Sequence, residues 1–309
     1  MEPVKAKFRL SSRAGGAGYA CARAMTSRQF APALLVTILG CELGLLFFQA
    51  GRKLFWFDEL LTFHVSSLQP FSLFWRALKA GVDGMPLGYY LFVRVARMLP
   101  GDPLITLRLP SILGYLLTLL GVYWFARKRL PAFAGLAAVL LITLSPFRAY
   151  ALEARSYSLF VGFLAISAVF WQRIGEKRFM TPLFALFLTL AVSSHYLAVV
   201  AISAFGVAEL TWTFLSRRIR WGVWAALLLA TFPFFVNLPI LLHFRDIFGE
   251  NYWSRPNRHT AILTYGTYLG LGSNLAHVLI AFFGIVVGFG IVVWRFTPTD
   301  VADHPRRIS

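Results

Sequence analysis

The sequence predicts an all-α polytopic membrane protein of about eight transmembrane spans, with further helices lying at the outer membrane surface. Three observations carry this reading. The chain is 58% hydrophobic and only 14% charged, with a mean hydropathy of +0.67, whereas an ordinary soluble domain is about a quarter charged. Apolar runs reach the roughly 20 residues that a helix needs to cross the hydrocarbon core. The basic residues fall in short clusters between those runs, as they do in cytoplasmic loops.

Taken in order, residues 1–30 hold six Lys or Arg against one Glu, with Gly, Ala and Ser between them. This composition predicts a disordered cytoplasmic tail, the positive flank of an uncleaved signal anchor. The first span is 31–50. A long outer loop, 51–106, follows. Within it "PLGYYLFVRVARML" (86–99) would make a helix only about 21 Å long, with Arg94 and Arg97 on one face, which predicts an interfacial helix rather than a span. The second span, 107–126, starts at "RLPS", where Pro110 suits a first helical turn. Spans three and four, 131–147 and 156–172, enclose the very short outer loop 148–155. Residues 179–215 are too long for one crossing and split at "SSHY" (193–196). The spans 221–242 and 276–294 flank an outer loop, 243–275, and residues 295–309 form a cytoplasmic tail.

The net charge of +17 would suit a nucleic-acid binder only if it formed one basic face interleaved with aromatics. It does not, and nucleic acid is excluded as a partner. The two cysteines, Cys21 and Cys41, lie in the tail and the first span, and their spacing is not of metal-binding type. With both termini inside, the compact cytoplasmic stretches carry 18 of the 30 Lys and Arg. Seven of the 13 acidic residues then face outward: Asp58, Glu59, Asp83, Asp102, Glu153, Asp246 and Glu250. Candidate chemistry therefore collects at the outer ends of the spans. Glu42 and Glu209 fall inside spans, where a charge is expensive, and are expected to serve helix packing or proton linkage.

Four stretches, "FDELLTF" (57–63), "MPLGYYLFVRVARMLPGDPLITLRLPSILGYLLTLLGVYWFAR" (85–127), "SPFRAYALEARSYSL" (145–159) and "SSHYLAVV" (193–200), resemble in order and spacing the multipass glycosyltransferases of family 39. That family includes lipid-A sugar transferases and bacterial relatives of the protein O-mannosyltransferases. The resemblance covers about residues 50–215. It implies a GT-C module over 31–294 in a cell membrane, the bacterial inner membrane, with its active site on the extracytoplasmic face. It implies transfer of a sugar, with inversion, from a polyprenyl-phosphate donor to a lipid, polysaccharide or protein acceptor. The role of base maps onto Asp58. This chain reads "GMPLGYY" (84–90) where members usually carry His-Pro-Pro or Asn-Pro-Pro, and members usually run longer. The chain is thus expected to hold little beyond the shared module.

Elementary chemistry supports the same assignment. Attack on a lipid-phosphate sugar needs a carboxylate to take the acceptor's proton and cations to stabilise the departing phosphate. Asp58, Glu59 and Glu153 are the candidate catalytic carboxylates. Arg148, Arg155, Tyr157 and His195 are the candidate donor-phosphate or substrate contacts. If 148–157 were helical, Arg148 and Arg155 would share a face and clamp the phosphate. No cofactor is assigned, although Glu153 could hold a divalent metal. Trp56 and Trp253 are candidates for stacking on a sugar.

Two other classes compete with this reading. A non-catalytic subunit that binds lipid-linked sugar or a partner would keep the motifs without turnover. A transporter or flippase would carry repeats and mid-membrane broken helices. No repeat relates the two halves of this chain, and most acids lie outside the spans.

Overall fold

The computed structural model describes residues 13–248, with side chains from Phe30 to Ile247. The expected span 276–294, the outer-loop residues Glu250 and Trp253, and the tail 295–309 lie outside the described residues, as does residue Cys21 for its side chain. Among the described residues the chain is all helical, without strands, as a polytopic membrane protein requires.

Helix α1 (Arg13–Ala50) already begins inside the stretch expected to be a disordered tail. Its apolar part, Phe30–Ala50, is long enough to cross a membrane, and so are α6 (Leu109–Arg127), α10 (Ala198–Ser216) and α11 (Trp221–Phe248) over Trp221–Ile247. The other expected spans are shorter. Helix α7 (Ala132–Thr143) bends by 67° into a 3-10 turn over Pro146–Leu152. Helices α8 (Tyr157–Trp171) and α9 (Met180–Ser194) have 15 residues each, about 22 Å against a hydrocarbon core of about 30 Å. The described residues therefore hold four helices of spanning length, or five if the bent pair counts as one, rather than the seven expected. The break at "SSHY" is present: α9 ends at Ser194, and His195 takes an extended conformation (φ −156°, ψ 136°) before α10.

The segment 51–106 folds into α2 (Phe57–Ser67), α3 (Phe71–Lys79), α4 (Leu87–Ala96) and the short α5 (Pro103–Thr106). At ten residues α4 is too short to span. Its Tyr89, Tyr90 and Val93 are fully buried. Arg94 does not reach for solvent; it donates to the carbonyls of Ser66 and Leu68, each at 2.9 Å, and Arg97 donates to that of Phe63 at 3.2 Å. Arg94 thus satisfies carbonyls at and just beyond the C-terminal end of α2, while Arg97 adds a bond to the Phe63 carbonyl, which also accepts from the Ser66 and Ser67 hydroxyls.

Helices α6 and α8 approach until backbone meets backbone. A Cβ on Gly114 would fall 2.2 Å from the Leu159 Cα, and one on Gly162 would fall 2.2 Å from the Gly114 carbonyl oxygen. Small residues at such positions let membrane helices close on one another where apolar burial gives little drive. Across the same seam the Ser111 hydroxyl donates to the Arg155 carbonyl and the Ser158 hydroxyl to the Ser111 carbonyl, both at 2.8 Å. This seam fixes the start of α8, and with it Arg155, against the outer helices.

Candidate functional site

The Asp-Glu pair sits in the first turn of α2, where negative charge complements the helix dipole. Successive helical residues point about 100° apart, so the two carboxylates part company. Glu59 turns inward and is fully buried. Arg108 grips it through two bonds of 2.7 and 2.8 Å, the Ala154 N–H donates to it at 2.7 Å, and the Trp56 N–H donates at 3.4 Å. Arg108, also fully buried, donates in addition to the carbonyls of Ala50 and Lys53 at 2.7 Å. With its lone pairs filled, Glu59 has no capacity left for a substrate. The expectation that it is catalytic gives way to a structural role: it ties α2 to the start of α6 and to the segment before α8.

Asp58 turns outward, and its side chain is 33% exposed. Its Oδ2 stands 3.7 Å from a guanidinium nitrogen of Arg155. The same guanidinium lies 3.5 Å from Asp83, whose carboxylate accepts a 2.5 Å bond from the Tyr90 hydroxyl. Burial disfavours the charge on Arg155, but Asp83 and Asp58 outweigh it and raise its pKa. The Arg155 Nε is buried and has no hydrogen-bond partner. Burial also raises the pKa of the Tyr90 hydroxyl, reinforced by Asp83.

Glu153 is half-buried at the end of the 3-10 turn, and burial raises its pKa despite the opposing charge of Lys53. The Lys53 ammonium donates to the Leu152 carbonyl at 2.9 Å. His195 packs on Phe160 and Tyr157, with ring centres 4.7 and 5.3 Å apart. Its Nδ1 accepts from the Leu197 N–H at 3.0 Å, which fixes the neutral tautomer protonated at Nε2. Burial, aided by the charge of Arg155, lowers its pKa to about 4. Tyr196 contributes a buried hydroxyl without a hydrogen-bond partner.

Asp58 and Arg155 lie together, Tyr157 packs on His195, and the charges of Asp58 and Arg155 also act on Glu153. Arg148 does not join them. The segment after Ser145 forms a 3-10 turn and then extends at Glu153 (φ −123°, ψ 130°), so the shared helical face of Arg148 and Arg155 does not form. Arg148 instead pairs with Glu42 at 2.8 Å and donates to the Gln49 side chain at 2.9 Å. This pairing supplies the partner that intramembrane Glu42 needs. Glu209 likewise pairs with Arg220 at 2.8 Å and accepts from the Trp171 indole at 3.3 Å.

Sequence reasoning missed three participants: Asp83, Tyr90 and Arg108. Arg108 carries a legible signal, since a cation opening an apolar span calls for a buried counter-charge. Asp83 counts among the outer acids but no spacing singles it out. Trp56, 45% exposed, flanks the site. Among the described residues no three His, Cys, Asp or Glu side chains gather as a metal site. Compared with family models, with characterised proteins and with solved structures, the chain matches none.

Proposed function

We propose that the protein is a membrane glycosyltransferase that moves a sugar from a polyprenyl-phosphate donor to an acceptor on the extracytoplasmic face, with inversion. The observation that supports it is the juxtaposition of Asp58, a partly exposed carboxylate, with Arg155, a buried cation whose Nε is unpartnered and whose contact with Asp58 is a loose 3.7 Å.

In this reading the donor phosphate takes up Arg155 in place of Asp58. Asp83, itself held by Tyr90, keeps the guanidinium in position through the exchange. Asp58, released from its ion pair, accepts the proton of the attacking hydroxyl as the bond to the anomeric carbon forms and the bond to the phosphate oxygen breaks. Arg155 carries the negative charge that develops on the leaving phosphate. Neutral His195 and the Tyr157 ring form an aromatic wall beside it. The reading also draws on the motif resemblance to family 39. Membranes containing the chain, given a panel of radiolabelled polyprenyl-phosphate sugars and a cell-envelope extract, test it. Labelled acceptor supports the proposal; donor binding with no transfer from any of the panel rejects it in favour of a non-catalytic binding subunit.

A further inference from the structure

A cavity with basic residues in its lining opens at the other end of α9 from His195. Ile174, Gly175, Glu176, Lys177, Arg178 and Thr181 line one side of it, and Arg220, Gly222 and Val223 line the other, around about 440 Å³. Thr181 and His195 stand at opposite ends of α9, about 21 Å of helix apart, so this cavity is separate from the Asp58 site.

The charges around it do not cancel. Glu176 is paired with Lys128, and Arg220 is held by Glu209. Lys177 and Arg178 have no acidic partner among the described residues, and the Lys177 ammonium makes only a long contact, 5.6 Å, with the Phe179 ring centre. Two exposed positive charges therefore belong to residues of the lining without a carboxylate to balance them. Gly175, at φ +98°, takes a backbone conformation that residues with side chains rarely adopt, and it turns the chain so that the next three residues line the opening. Thr181 and Gly222 lie in the first turns of α9 and α11, whose dipoles add partial positive charge.

Val223 is buried in the lining, whereas the exposed apolar residues of α11, Trp221, Leu228 and Phe232, fall on the opposite face of that helix at about 100° per residue. A cationic lining between helix ends suits a phosphate, and basic pockets between membrane helices commonly take phosphate headgroups.

We propose that this cavity binds a phosphate group, supplied by the headgroup of an anionic phospholipid or by free phosphate. The proposal is independent of the activity assigned to Asp58.

The test titrates the full chain in neutral detergent with phosphatidylglycerol, phosphatidylcholine and inorganic phosphate, and reads binding by native mass spectrometry. The variants are Lys177→Gln/Arg178→Gln and, as a control, Arg217→Gln/Arg218→Gln, which removes exposed cations outside the cavity. Phosphatidylglycerol affinity is expected to fall about thirty-fold in the first variant, about 1 kcal/mol for each of the two cations that line the cavity, and by less in the second, whose cations lie outside the lining; an equal fall in both overturns the proposal. Binding of inorganic phosphate that is lost in the same variant assigns the source to free phosphate; phosphatidylglycerol binding without it assigns the source to lipid. Equal binding of phosphatidylglycerol by wild type and the Lys177→Gln/Arg178→Gln variant, or equal binding of phosphatidylcholine and phosphatidylglycerol by wild type, overturns the proposal.

Discussion

Arg155 stands between Asp58 and Asp83, 3.7 Å from the first and 3.5 Å from the second, with only Asp58 substantially open to solvent. The arrangement is asymmetric. Asp83 is 5% exposed and anchored by Tyr90, so the contact that a competing anion can replace is the one to Asp58. This asymmetry underlies the proposed exchange of carboxylate for donor phosphate.

Adjacent residues should respond oppositely to neutralisation. Glu59→Gln leaves Arg108 as a buried charge without its counter-ion, and the expected loss is about 3–5 kcal/mol. Asp58→Asn removes a partly exposed and loose pair, with an expected change below about 1 kcal/mol. Thermal unfolding in detergent distinguishes them; equal shifts in the two variants would refute the division of labour within the pair.

The two arginines of the 145–159 segment should also separate. Arg148→Gln breaks a hydrogen-bonded ion pair with Glu42, at an expected loss of about 1.5–3 kcal/mol, and leaves donor binding unchanged. Arg155→Gln weakens binding of a polyprenyl-phosphate sugar. Comparable loss of donor binding in both would restore the phosphate clamp that the 3-10 turn argues against.

Gly114→Ala places a methyl group inside the backbone of α8. Overpacking of this kind typically destabilises by about 1–3 kcal/mol, and relief here requires the helices to part, which moves Arg155. The variant should lose thermal stability and transfer activity together, whereas Gly206→Ala, with nothing within 4 Å of the added Cβ, should lose neither.

His195 supplies a pH dependence. Its pKa falls from 6.5 to about 4 on folding, so between those values the unfolded chain binds more protons than the folded one. Its stabilising contribution is fully present above pH 6.5 and is lost as pH falls toward 4; over the whole window this amounts to on the order of 3 kcal/mol. His195→Asn should flatten the unfolding profile between pH 6.5 and 4. An unchanged slope would show that the imidazole is not held neutral.

Much of the architecture was legible because hydrophobicity over 20 residues is a strong, local signal. Phe30–Ala50, Leu109–Arg127, Ala198–Ser216 and Trp221–Ile247 are helices of spanning length where the apolar runs predict them. The helices α8 and α9 are shorter than the apolar runs around them, because apolar residues that pack against neighbouring helices read like residues that face lipid. The proximity of Asp58 and Arg155 agrees with their expected place at the outer ends of spans, each opening or preceding a helix. Arg148 was misplaced because its direction depends on whether seven residues form an α-helix or a 3-10 turn, a choice set here by Pro146 and by contacts with α6. The inward turn of Glu59 was hidden, since its partner, Arg108, is distant in sequence and only the fold brings the two together.

The most direct test of the central claim compares wild type with Asp58→Asn in membranes supplied with radiolabelled polyprenyl-phosphate sugars and envelope acceptor, with both proteins matched for amount and thermal stability. Loss of a general base typically lowers the rate about 10²–10⁴-fold. The account predicts a fall of that size with donor binding preserved through Arg155. Transfer by Asp58→Asn at the wild-type rate would contradict it.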